Sequence, residues 1–183
     1  VVTVSASTRQ DDFACYSNYG RVISVSAPSK GCTRQEPGLQ TTDVAGRDGY
    51  SATDFTRDFG GTSAAAPVAA GLAGLILSAN PDLTAQQVRL ILQGTAEKIL
   101  ADKNDWQEMV GVDLATAFAY DKRGFSRGFG YGRIDATRAL DMAVNNPPRT
   151  GAQCNKSCGA CVNGRCAPAC DRPKRGRKNW PSV

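Results

Sequence analysis

The chain has 183 residues, of which 41% are hydrophobic and 21% charged, so most of it is expected to fold around a buried core. The net charge of +5 comes from the C-terminal end, since residues 151–183 hold seven Lys or Arg and one acidic residue. Residues 1–150 hold 15 basic and 16 acidic side chains, which argues against nucleic acid as a partner. The chain contains no histidine, which excludes a histidine base or a histidine-bound metal within it.

Two short runs of β-branched residues near the start of the chain predict β-strands. They cover residues 1–7, which are expected to be buried, and residues 21–27, which Pro28 closes. Residues 29–59 are rich in Gly, Asp, Thr and Ser and are predicted to form loops, with an extended segment near residues 39–44. Strands followed by the long helices described next favour an α/β fold.

Three helices are predicted after these strands. The first covers the Ala-rich residues 63–79, and the second begins at Thr84, whose spacing from Gln87 is typical of a capping box. The second helix has a periodic apolar face made of Val88, Ile91, Leu92, Ala96 and Ile99. Asp135 is predicted to cap the third helix. The apolar face of that helix consists of Ala136, Ala139, Leu140 and Ala143.

Residues 59–81 contain no charged side chain over 23 positions, a length that suits a transmembrane helix. Their composition points elsewhere, because Gly60, Gly61, Pro67 and many alanines leave few strongly apolar side chains. Small residues at this density are typical of a helix that is packed on all sides within a protein core. We therefore expect no membrane span.

The stretch Asp-Phe-Gly-Gly-Thr-Ser-Ala-Ala-Ala-Pro at residues 58–67 carries a candidate nucleophile, Ser63. Two glycines permit a tight turn before the serine, and Pro67 is expected in the first helical turn, where its missing N–H is not needed. The unpaired N–H groups and the positive dipole end of a helix would stabilise negative charge on a substrate oxygen. The simpler alternative is that Ser63 only caps the helix.

The whole string resembles the active-serine signature of the subtilisin-like serine proteases, or subtilases, and in particular their kexin/furin-like branch. Other segments resemble further subtilase motifs in the expected order. They are residues 13–20 with Ala27-Pro28-Ser29, residues 78–84, Asn104-Asp105-Trp106 and residues 128–136. The resemblance covers residues 1–144. It implies a subtilisin-like three-layer α/β fold with a mainly parallel sheet, of which this chain would hold the C-terminal half.

The resemblance also implies a serine endopeptidase that forms an acyl-enzyme on Ser63, with Thr62 and Gly61 supporting the nucleophile and the oxyanion site. Because the family order is Asp, His, Ser, the acid, the base and the oxyanion Asn are expected upstream of Val1. Residues 1–183 alone are therefore expected to be inactive. The implied partners are a protein or peptide substrate and the upstream half of the domain. No cofactor or metal ligand is identifiable in this segment, although the resemblance implies calcium as a structural ion and a secreted location.

Composition changes abruptly after residues 145–150, which we interpret as a linker. Residues 151–183 form a small Cys-rich basic tail with five of the seven cysteines. A single C-x2-C pair is only a weak signal for zinc, and the resemblance to a mostly secreted protease family favours disulfides instead. The odd number leaves one cysteine free or bonded elsewhere. Cys15 and Cys32 could pair with each other or with the upstream half. The basic run at residues 172–178 is a solvated end, an anion-binding patch or a processing site cleaved after Arg175.

Two other functions are open on the sequence alone. The chain could belong to an inactive subtilase-like pseudo-protease that lacks a base upstream. It could also belong to a binding protein that acts through its Cys-rich tail.

Overall fold

The computed structural model describes residues 1–33, 35–99 and 118–149, together with the backbone of residues 161–162 and 165–166. Its centre is a parallel pair of strands, β1 (Val4–Ser7) and β2 (Val25–Pro28). Both strands were predicted from the β-branched runs, but both are shorter than expected: β2 begins at Val25 rather than at residue 21, and it includes Pro28. Residues 1–3 precede β1, and Val1 is fully exposed rather than buried, because nothing among the described residues covers it.

Helix α1 (Thr62–Ala79) lies on one face of these strands and confirms the predicted Ala-rich helix to within one residue. Alternate residues of each strand face it, as expected for a pleated sheet. Small side chains dominate the contact and let the helix approach closely. They are Ala6, Ala14, Ala27, Ala65 and Ala69.

Helix α1 is packed on one side only among the described residues, which corrects the expectation of packing on all sides. Leu75 and Leu77 remain exposed on it. Its 18 residues have a mean hydropathy of 1.6, so by length and composition alone the helix could cross a membrane, and 28% of it is buried. The expected absence of a membrane span stays a prediction.

Helix α2 (Ala85–Thr95) begins with the predicted capping box. The Thr84 hydroxyl accepts from the Gln87 N–H at 3.3 Å, and the Gln87 side chain accepts from the Thr84 N–H at 2.9 Å. The predicted apolar face is correct as far as Ala96, the C-cap residue that follows the end of the helix at Thr95. Ile99 lies beyond the helix and packs in a separate cluster with Phe13, Phe118 and Phe129. The extrapolation to Ile99 was wrong because the chain leaves helical geometry at Ala96.

Helix α3 (Ala136–Asn145) is capped as predicted by Asp135, whose carboxylate accepts from the Arg138 N–H at 2.9 Å. Ala139 and Ala143 are fully buried, whereas Ala136 in the first turn is exposed, contrary to prediction. The three helices and β2 share one main core. Its buried members are Val25, Leu72, Ile76, Leu83, Val88, Ile91, Leu92, Ala96, Ala139 and Ala143.

An extended segment before α3 links the sheet to the end of α2. The Ser26 N–H donates to the Gly132 carbonyl at 2.8 Å, and the Ile134 N–H donates to the Ser26 carbonyl at 2.9 Å. On its other side, Arg133 and Glu97 exchange two backbone hydrogen bonds of 2.9 and 2.8 Å. A Cβ at Gly132 would lie 2.2 Å from the Glu97 carbonyl oxygen, so this close approach requires glycine.

Strands β3 (Leu39–Thr42) and β4 (Phe55–Phe59) form an antiparallel hairpin in the region predicted mainly as loop. The extended segment near residues 39–44 is confirmed, but β4 was not predicted. Only Thr56 of β4 is buried, and charged Arg57 and Asp58 are exposed, so the strand lacks the alternating pattern that sequence analysis requires.

The predicted division at residues 144 and 150 stays a prediction. In the tail the structure describes a short antiparallel pair, β5 (Cys161–Val162) and β6 (Arg165–Cys166), with Cys161 opposite Cys166. The other tail residues, including Arg175, and the motif at residues 104–106 lie outside the described residues.

The capping box provides a direct test of the start of α2. Replacing Thr84 with alanine removes the acceptor of the Gln87 N–H and is expected to lower the free energy of unfolding by about 1 kcal/mol. Thr84→Ser keeps the hydroxyl and serves as the matched control. Urea-induced unfolding of the intact protein measures both, and equal midpoints for the two variants would contradict this role of the cap.

Candidate active site

The start of α1 is built around Gly61, the N-cap residue. Its φ of 81° and ψ of 174° lie in a region that is essentially restricted to glycine. The Gly61 carbonyl accepts from the N–H groups of Ala64 at 3.0 Å and Ala65 at 3.3 Å, and from the Ser29 hydroxyl at 2.8 Å. The alternative that Ser63 caps the helix is therefore wrong, since Ser63 is the second helical residue.

Ser63 is exposed at this helix end. Neither its hydroxyl nor its N–H has a hydrogen-bond partner among the described residues. Half-buried Thr62 precedes it as the first helical residue. First-turn N–H groups have no acceptor within a helix and lie at the positive end of its dipole. The Ser63 hydroxyl thus stands beside an unoccupied donor in a region of positive potential.

Pro67 lies in the second turn of α1 rather than in the first, which corrects the predicted position. In a regular helix the N–H of residue 67 would donate to the Ser63 carbonyl. Proline has no N–H, so that hydrogen bond is missing. The helix nevertheless continues to Ala79.

Ser63 lines an open cleft of about 460 Å³. The cleft brings together Ser63, the Gly60–Gly61 turn and the segment that follows β2. Its lining residues are Tyr16, Lys30, Gly31, Cys32, Thr33, Tyr50, Asp58, Phe59, Gly60, Gly61 and Ser63. Thr62, although predicted as a site residue, does not line the cleft.

A polar network, which sequence analysis did not predict, forms one wall of the cleft. The Tyr16 hydroxyl donates to the Lys30 carbonyl, and the Lys30 ammonium pairs with Asp58. Burial raises the pKa of Tyr16, although hydrogen bonds with the Ser29 side chain and the Gly61 backbone lower it. Tyr16 therefore stays protonated at neutral pH and acts here as a hydrogen-bond donor.

The close approach of this wall to the turn depends on Gly60. A Cβ added there would lie 2.6 Å from the Lys30 Cβ. One signal for the wall was available in the sequence, because Lys30 follows the carboxyl end of a parallel strand, where ligand sites often form. The ion pair with Asp58 could not be predicted, since β4 was itself missed.

The described residues of the cleft include the candidate nucleophile Ser63 but no base aimed at it. Asp58 is engaged with Lys30, and the chain contains no histidine. No three Cys, Asp or Glu side chains of the described ranges converge in a way that could hold a metal ion. These ranges therefore offer no cluster of three or more carboxylates for a calcium ion.

A family model for the subtilases matches residues 1–132. The chain belongs to the subtilase family. Among curated relatives, the calcium-dependent protease of Nostoc sp. is 35% identical over 158 residues, covering 81% of this chain and 22% of the relative. A dibasic-processing endoprotease of Yarrowia lipolytica is 33% identical over 151 residues, covering 79% of this chain and 14% of that protein. This subtilase chain thus spans less than a quarter of the length of either relative.

Solved structures show the same fold. The serine protease of Aeromonas sobria, in complex with a chaperone, superposes with a TM-score of 0.63 at 26% identity, covering 80% of this chain and 29% of that one. Fervidolysin from Fervidobacterium pennivorans superposes with a TM-score of 0.54 at 22% identity, covering 82% of this chain and 20% of that one. This subtilase chain therefore has the subtilisin-like α/β fold that its sequence indicated.

Proposed function

We propose that this chain is the nucleophile-bearing part of a serine endopeptidase. The observation that supports this most strongly is the position of Ser63, an exposed hydroxyl with no partner among the described residues, at the start of α1 and beside an open cleft. The family membership adds the reaction class, because named relatives are serine proteases. The substrate is a peptide or protein chain bound in the cleft.

In the proposed reaction, the Ser63 hydroxyl oxygen attacks the carbonyl carbon of a peptide bond while a base removes its proton. The N–H of Ser63 and the helix dipole stabilise the negative charge that develops on the carbonyl oxygen. The amine leaves with a proton, and water then hydrolyses the acyl-enzyme on Ser63. Gly61 permits the turn that presents Ser63, and Thr62 supports the oxyanion site from the adjacent position.

We infer that the base comes from outside this chain, because the chain contains no histidine and Asp58, the carboxylate that lines the cleft, is paired with Lys30. We infer that the rest of the catalytic domain supplies the Asp, the His and the oxyanion Asn, as family order implies. The rest of the catalytic domain would also cover an apolar surface of helix α1, since Leu75 and Leu77 are 55% and 41% exposed. Residues 1–183 alone are expected to be inactive.

Calcium, location and disulfides belong to the same proposal. Calcium binding is inferred from the name of the Nostoc relative and would use residues outside the described ranges. A secreted location is inferred from the Aeromonas relative, which is named an extracellular serine protease. An oxidising location would allow the tail cysteines to form disulfides.

A fluorophosphonate probe tests the assignment of the nucleophile. The oxygen of an activated serine attacks the phosphorus of such a probe, displaces fluoride and remains covalently bonded to the phosphorus. We expect it to label the intact protein on the tryptic peptide of residues 58–89, with tandem mass spectrometry placing the adduct on Ser63 rather than Ser78. Absence of labelling in folded protein would support the pseudo-protease instead, and the tail would then be the candidate binding module.

A further inference from the structure

The parallel pairing of β1 and β2 brings together two cysteines that are 17 positions apart in the sequence. The N–H of Cys15, which follows β1, donates to the sulfur of Cys32, which follows β2, at 2.8 Å. The N–Cα bond adds at most about 1.46 Å, so the Cys32 sulfur lies within about 4.3 Å of the Cys15 Cα atom. Disulfides join residues whose Cα atoms lie within about 7 Å. The Cys32 sulfur thus already lies beside the backbone of Cys15.

Neither cysteine is fully buried, and one of them lies at the cleft. Cys32 is exposed and lines the cleft, and Cys15 is half-buried. The polar network of the cleft wall connects the two cysteine segments. Tyr16 directly follows Cys15, and its hydroxyl donates to the carbonyl of Lys30, which lies two residues before Cys32. Burial is the main cause that raises the pKa of Tyr16, and both cysteines add smaller contributions, which places the two sulfurs near the Tyr16 hydroxyl.

We propose that Cys15 and Cys32 form a disulfide that locks the wall of the cleft. A low-molecular-weight disulfide such as oxidised glutathione supplies the oxidising equivalents. One cysteine thiolate attacks it, forms a mixed disulfide and releases one glutathione thiolate. The other cysteine thiolate then attacks the mixed disulfide and releases the second. Both cysteines have lost a proton, the pair has lost two electrons, and two glutathione thiols result.

The disulfide would act on the site through the segment that follows β2. The Ser29 hydroxyl donates to the Gly61 carbonyl at 2.8 Å, and the Lys30 ammonium forms an ion pair with Asp58, which precedes the Gly60–Gly61 turn. Fixing Cys32 to Cys15 therefore restricts the residues that contact both ends of the Gly60–Gly61 turn. This part of the inference rests on the proposed function, because it concerns substrate binding beside Ser63.

Peptide mapping of the intact protein tests the bond itself. Trypsin cleaves after Arg21 and Lys30, so the disulfide would join peptide 10–21 to peptide 31–34. After treatment with oxidised glutathione and blocking of thiols with iodoacetamide, we expect this joined peptide, two hydrogens lighter than its separate parts. Reduction with dithiothreitol before blocking should instead yield both peptides alkylated. Alkylation of both cysteines after oxidation, or linkage of either to another cysteine, would overturn the proposal.

Kinetics on a peptide substrate test the locking of the wall. Reduction of the wild type is expected to raise KM by about threefold to tenfold with kcat retained, because a pre-organised wall binds substrate better. Cys15→Ser should show the KM of the reduced wild type in both redox states. A joined peptide together with an unchanged KM would overturn the locking role. The mapping result needs no peptidase activity, so failure of the proposed function would remain distinguishable from failure of the disulfide.

Discussion

Replacing Ser63 with alanine in the intact protein is expected to lower kcat/KM on a peptide substrate by roughly 10⁴- to 10⁶-fold. The variant lacks the oxygen that forms the acyl-enzyme, while the cleft and the first-turn N–H groups remain. The residual rate would come from substrate binding and oxyanion stabilisation alone. Steady-state kinetics with purified wild type and variant measure the difference.

The fold should tolerate this substitution. Ser63 is exposed, caps no helix and has no hydrogen-bond partner among the described residues, so the free energy of unfolding should change by less than about 0.5 kcal/mol. Ser78→Ala is a suitable control because Ser78 is an exposed serine near the other end of α1. Its activity should equal that of the wild type. Wild-type turnover in Ser63→Ala would remove Ser63 from the mechanism.

Local signals explain which parts of this fold could be predicted from the sequence. The Thr84–Gln87 spacing and the Asp135 position each describe contacts within one turn of helix, and the structure confirms both. The position of Ser63 at the start of α1 is also local, because two glycines and a run of alanines determine it. The predicted helix α2 was too long, because the apolar periodicity of the sequence continues to Ile99 although the backbone leaves helical geometry at Ala96.

Long-range contacts explain what could not be predicted. The wall of the cleft joins Tyr16 to Lys30 and Lys30 to Asp58, residues 14 and 28 positions apart. No local pattern relates them, and their meeting depends on the β1–β2 pairing and on the β3–β4 hairpin. The role of Gly61 as the N-cap residue of α1 could not be predicted from the sequence for a different reason. Glycine has no side-chain signal, and its use here depends on its φ of 81°.

That φ makes Gly61→Ala the most informative backbone variant. Alanine at this φ and ψ is strained by about 1–3 kcal/mol, although its Cβ would meet only the Ser63 nitrogen at 3.7 Å. Relief of the strain must rotate the peptide that carries the Gly61 carbonyl. That carbonyl accepts hydrogen bonds from the Ser29 hydroxyl and from the N–H groups of Ala64 and Ala65. The start of α1 and the cleft wall would therefore move together.

We therefore expect Gly61→Ala to lower kcat/KM by about 100-fold or more, since misplacement of a nucleophile by roughly 1 Å has effects of this size. Gly124→Ala is the matched control, because Gly124 also has a positive φ, of 71°, but lies in a turn that does not line the cleft. It should lose stability by about 1 kcal/mol and keep wild-type kcat/KM. Labelling by the fluorophosphonate probe should slow in Gly61→Ala in proportion to kcat/KM, whereas unfolded protein would lower the labelled fraction instead of the rate. Wild-type kcat/KM in folded Gly61→Ala would show that the turn does not position Ser63.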